Sequence, residues 1–160
     1  MDQWAVYALR PSRTPGPSAR PARLLLVSVP AAAQSYAADS SRVVAATPDG
    51  LAWAAGNDGF AEAEFAMLLG SPGGEGPFAF RLRMPADWTM PPHSHGIAEH
   101  ITVLSGTLTM RFAADGEPVT LGPGSFVSIP AGVPMWAWTG ADPVTVQIHG
   151  VGPLTTEPVG

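Results

Sequence analysis

A chain of 160 residues has the size of one ordinary domain. It contains neither Cys nor Lys, which excludes disulfide frameworks, thiolate-bound metals, thiol nucleophiles and lysine Schiff-base chemistry. A net charge of −5 argues against nucleic acid as a partner, and no apolar run approaches the ~20 residues of a membrane span. With 18 Gly and 18 Pro, about 22% of the chain, and only 13% charged residues, the composition points to an all-β domain with many turns.

In chain order, residues 1–42 read as an N-terminal arm or a weak signal-like segment. RPSRTPGPSARPAR (10–23) carries four Arg and four Pro, which leave no room for a regular helix or a central strand. The apolar run LLLVSVPAAAQS (24–35) that follows is short, interrupted by Pro30 and late for a secretory signal, so a cytoplasmic location is expected, with export the alternative. The body, 43–160, is a series of short apolar segments cut by Gly, Pro and Asp. AEFAMLLG (63–70) is a strand. FAFRLRM (78–84) alternates with period two: Phe78, Phe80, Leu82 and Met84 on one face, Ala79, Arg81 and Arg83 on the other. AEHITVLSG (98–106) and TLTMRFA (107–113) read as a hairpin turning at Ser105-Gly106. SFVSIP (125–130), MWAWTG (135–140) and PVTVQIH (143–149) complete about eight strands, enough for a sandwich or small barrel.

The chemistry concentrates in PPHSHGIAEHITVLSG (91–106), which holds three of the four histidines. His93 and His95 are two apart, so on a strand their imidazoles share a face; Glu99, four further on, keeps that face if the strand continues, and His100 points away. Two imidazoles and one carboxylate suit Fe2+, Mn2+, Ni2+ or Zn2+ and leave positions open for other ligands. Phe80, Met84, Ile101, Val103, Met135 and Ala137 form either one apolar pocket or simply the barrel core, while Trp136 and Trp138 face out and need covering by the N-terminal segment or a partner subunit. Residues 143–149 leave two phases open. Either the valines point inward, or Gln147 and His149 turn toward the centre and His149 supplies a ligand or carries a proton.

His93-x-His95-x3-Glu99-x6-Gly106 resembles the first motif of the cupin superfamily, and Gly124-x5-Pro130-x-Gly132 the start of the second. The ending VQIHGVGP (146–153) is similar to that of small bacterial single-domain cupins. The resemblance implies a cupin fold, a small antiparallel β-barrel of the double-stranded β-helix or jelly-roll type, with a central metal and frequent homodimers. It implies one divalent transition metal, Fe2+ favoured, held by His93, His95 and Glu99 as metal and catalytic residues. Two positions depart from the pattern. Asp87 stands where a turn glycine is expected. Met135 stands where the fourth ligand, a histidine, is expected; it lines the pocket above a three-ligand metal, or coordinates a copper-like ion, or marks a degraded site. The expected function is a metal-dependent enzyme acting on a small organic substrate. Its chemistry is either that of an oxidoreductase of dioxygenase type, slightly favoured, or Lewis-acid isomerase or cyclase chemistry. The alternative is a non-catalytic binding or sensor module.

Overall fold

A computed structural model describes residues 43–56 and 60–159; the expected N-terminal arm lies outside the described residues. After a 3-10 turn at Pro48–Gly50, eleven strands follow: β1 (Ala54–Ala55), β2 (Glu64–Leu69), β3 (Gly76–Met84), β4 (Thr89–His95), β5 (Glu99–Ser105), β6 (Leu108–Phe112), β7 (Val119–Leu121), β8 (Phe126–Ile129), β9 (Met135–Thr139), β10 (Val144–Gly152) and β11 (Thr156–Pro158). They form two antiparallel sheets, ordered β1-β2-β3-β10-β5-β8 and β11-β4-β9-β6-β7. The fold is all-β, as expected, with more and shorter strands. Among the described residues no helix is long and apolar enough to cross a membrane.

The period-two alternation decides what each strand buries. Phe78, Phe80, Leu82 and Met84 of β3 are all buried, as are Ile101 and Val103 of β5 and Val144, Val146 and Ile148 of β10. From the second sheet Met90, Leu108, Met110, Met135 and Ala137 face them and close the core. The valine-inward phase of β10 is therefore the observed one, so Gln147 and His149 lie on the outer face. A slip of one residue would expose Val144, Val146 and Ile148 together.

The expected hairpin at Ser105-Gly106 does not form. β5 pairs with β10 and β8 in one sheet, while β6 pairs with β9 and β7 in the other, so this turn carries the chain from sheet to sheet. Gly106 takes φ +75°, and a Cβ there would collide with the Pro143 carbonyl oxygen. Asp87 takes φ +53°, in the left-handed region where glycine is the default and Asp one of the few tolerated replacements. Its amide donates to the Gly140 carbonyl at 2.7 Å, so the turn survives the departure from the motif. Pro91 and Pro92 lie within β4, and without N–H groups they coincide with a register shift against β9 between Met90 and His93.

On the outer face of the second sheet Trp136 and Trp138 are half-buried. The Arg111 guanidinium lies 4.5 Å above the Trp136 ring, so part of the cover comes from the barrel itself.

Candidate metal centre

The interior between the sheets holds a cavity of about 210 Å³. β4 brings His93 and His95 to its wall and β5 brings Glu99; all three are buried. The His93 and His95 ring centres are 4.8 Å apart, and Nε2 of His95 is 3.6 Å from Oε1 of Glu99. The three residues named from sequence thus meet, though not on one continuing strand as expected: the strand ends at His95, and Glu99 faces the histidines from the other sheet.

Each imidazole is oriented by backbone. Nδ1 of His93 donates to the Pro91 carbonyl at 2.7 Å, and Nδ1 of His95 donates to the Thr155 carbonyl at 2.7 Å. A carbonyl only accepts, so each Nδ1 carries the hydrogen and a neutral ring keeps its lone pair on Nε2. Phe60 packs edge-on against His93, with ring centres 6.1 Å apart. Burial lowers the pKa of His95; the Thr155 carbonyl opposes the shift and neighbouring His93 adds to it. Burial pushes the Glu99 carboxyl up to about 7. Both groups therefore tend toward their neutral forms, and 3.6 Å is too long for a hydrogen bond between them.

Among the described residues no three His, Cys, Asp or Glu side chains form a cluster ready to hold a metal ion as they stand. The donor chemistry fits one nonetheless. Two imidazoles have Nδ1 occupied by carbonyls and Nε2 free, the second-sphere arrangement that metal-binding histidines use, and a buried carboxyl lies beside them. The fit is therefore in donor type and orientation, not in a closed coordination sphere. Met135 is the cross-strand partner of His93 and also lines the cavity, so a thioether stands where a fourth imidazole is expected.

Of the residues expected in the pocket, Phe80, Met84, Ile101, Met135 and Ala137 line the cavity. Val103 does not: it is buried further along β5, in the packed core. Gln147 and His149 also do not, because the phase of β10 turns them outward to a separate cleft. Sequence reasoning missed Phe60, Phe65, Leu154 and Thr156 in the wall, and the Thr155 carbonyl that orients His95. The short strand β11, which pairs Thr156 with His95, brings the last of these in.

Two antiparallel sheets closed around an interior pair of histidines and a glutamate define the double-stranded β-helix class. Residues 80–148 match the family profile of the cupin domain. Over those residues the chain is similar to a cupin domain. A search of curated proteins found no match. Among solved structures the chain is similar to the DMSP lyase DddQ from Ruegeria pomeroyi DSS-3, at 25% identity and TM-score 0.57, covering 72% of this chain and 70% of that one. It is similar to the polyketide cyclase RemF from Streptomyces resistomycificus, at 22% identity and TM-score 0.56, covering 62% and 72%. A third similar fold is an RmlC-like cupin protein from Ralstonia eutropha JMP134, at 15% identity and TM-score 0.56, covering 71% and 74%.

Proposed function

We propose that the protein is a metal-dependent cupin enzyme that transforms a small, largely apolar organic molecule in the barrel interior. The observation that carries this reading is the pairing of an apolar cavity with three inward donors, two of them fixed by backbone carbonyls. His93, His95 and Glu99 are the residues that would hold a divalent ion. Bound there, the ion supplies a Lewis acid, or with Fe2+ a redox centre, for a substrate oxygen.

The chain's own residues define the rest. Phe60, Phe65, Phe80 and Met135 make the wall apolar, which favours a hydrocarbon-rich substrate and excludes water from its reacting end. The carbonyls of Pro91 and Thr155 hold the Nδ1–H of each imidazole and so fix its orientation. In the metal-free protein burial lifts the Glu99 carboxyl to about 7, and an ion held there would take it as the carboxylate. Among the described residues, this carboxyl and the two imidazoles are the titratable side chains that line the cavity. The similar folds named as a lyase and a cyclase support isomerase, cyclase or lyase chemistry over the dioxygenase branch.

A second reading, a non-catalytic binding module, is favoured by Met135 at the fourth position and by the absence of a ready cluster among the described residues. One experiment separates the two. Untagged protein is loaded in turn with Fe2+, Mn2+, Ni2+ and Zn2+, analysed for bound metal, and screened for turnover and oxygen uptake on phenolic, diketone and polyketide-like compounds. The enzyme reading expects close to one interior ion per chain, lost in Glu99→Ala, and turnover with that ion. Fewer than about 0.2 interior ions per chain after loading overturns it in favour of the binding module. Oxygen uptake matching turnover selects the dioxygenase branch.

A further inference from the structure

The remaining two histidines meet on the outside of the barrel. His100 of β5 and His149 of β10 are direct cross-strand partners on the outer face of the six-stranded sheet. Their ring centres are 5.1 Å apart and tilted by 38°. Phe126 of β8 stacks against His100, with ring centres 6.0 Å apart and planes 17° from parallel. Nδ1 of His100 is buried and has no hydrogen-bond partner among the described residues. Both rings line an open cleft of about 700 Å³, together with Gln147. Among the described residues no Arg, Asp or Glu lines that cleft.

An orphaned nitrogen beside a second imidazole asks for a shared partner. A transition metal sits about 2.0–2.1 Å from a ligating imidazole nitrogen, and the ring centre lies roughly 1 Å further out. Two imidazoles at a tetrahedral angle then place their ring centres about 5 Å apart, and the observed separation is 5.1 Å. Among the described residues no cationic side chain lines the cleft to repel an ion, and the acidic balance of the chain favours one. Phe126 limits the freedom of His100 before any ligand arrives.

We propose that His100 and His149 form a second, outward-facing site for a borderline divalent transition metal of the Zn2+, Ni2+ and Cu2+ class. The open cleft leaves the other coordination positions to water or a small ligand. The site is separate from the interior donors because Glu99 and His100 are consecutive on β5 and point to opposite faces. It does not rest on the enzymatic reading: either site can fail while the other stands.

The test titrates untagged full-length chain with Zn2+ by calorimetry and with Cu2+ by electron paramagnetic resonance. His100→Ala and His149→Ala are each expected to weaken the same Zn2+ event at least about tenfold, while the His93→Ala/His95→Ala variant retains it. Nitrogen hyperfine structure on the outer Cu2+ is expected to report two imidazoles in wild type and one in either single variant. Should the interior variant misfold, the spectrum of His149→Gln against wild type decides, since residue 149 is only half-buried. A Zn2+ isotherm unchanged in the His100→Ala/His149→Ala double variant overturns the proposal, as does loss of all Zn2+ binding in a folded His93→Ala/His95→Ala protein.

Discussion

Glu99 places an ionisable carboxyl inside an apolar wall, so its protonation is linked to folding. Below about pH 4.5, its ordinary pKa, the carboxyl is protonated in the folded and unfolded chains alike. Between there and about 7 the unfolded chain releases the proton while the folded chain keeps it. Stability from this group is therefore full at low pH, falls as pH rises through that window, and levels off above it. The loss is on the order of 3 kcal/mol for the metal-free protein. Glu99→Gln has no proton to lose. Relative to wild type, it is expected to gain about that much between pH 4.5 and pH 8.5 in urea unfolding with EDTA present. A wild-type-to-variant difference that stays flat with pH would mean that the carboxyl is not held neutral by burial. At this scale parity paired His93 with His95 and set Glu99 opposite His100, but the strand does not continue from His95 to Glu99, and it is the closure of the two sheets that brings Glu99 to the histidines. The Thr155 carbonyl that orients His95 was not legible. It is a backbone atom 60 residues distant, and no side-chain pattern marks it. Val103 shows the limit of parity, which assigns a residue to the interior but not to a position along it.

Strand segments were readable wherever alternation was strict, as in β3 and β10; their partners were not. A glycine turn between two apolar runs is the ordinary sign of a hairpin, yet Gly106 joins strands of different sheets. What distinguishes the cases is distant: the Pro143 carbonyl and Val144 backbone press against Gly106, and no local sequence feature announces them. The same contact makes the position testable. Gly106→Ala must hold a Cβ at φ +75° and against that carbonyl oxygen. A destabilisation of about 2–3 kcal/mol is expected from strain and crowding together. The shift in urea midpoint measures it, and a change below about 0.5 kcal/mol would mean that the crossing is more pliable than its backbone indicates. The shortest elements, β1, β7 and β11, went unread for a different reason. Two or three residues cannot display a period, so Ala54–Ala55, Val119–Leu121 and Thr156–Pro158 are recognisable only by their pairing.

At the scale of the whole molecule the interior donors join the two sheets. His93 and His95 come from the five-stranded sheet, and Glu99 from the six-stranded one. An ion held by all three binds the folded chain and not the unfolded one, so it stabilises the fold by mass action. At a free metal concentration 100 times Kd the gain is about 2.7 kcal/mol, which for a domain of this size raises Tm by roughly 5–10 °C. The outer pair would add its own contribution, so the measurement belongs in the His100→Ala/His149→Ala background. There the shift is expected with Fe2+, Mn2+, Ni2+ or Zn2+ and is expected to vanish in Glu99→Gln, whose amide is a far weaker ligand. Met135→His extends the argument. Met135 is fully buried on β9 opposite His93, and an imidazole there supplies the donor that the motif lacks. The substitution places a polar ring in the core and is expected to lower the Tm of the metal-free protein, while raising metal affinity about tenfold or more. If position 135 is only wall, the metal-dependent shift stays at the wild-type size and the metal-free Tm alone drops. A larger shift together with lost turnover would mean that the missing ligand is what leaves room for substrate.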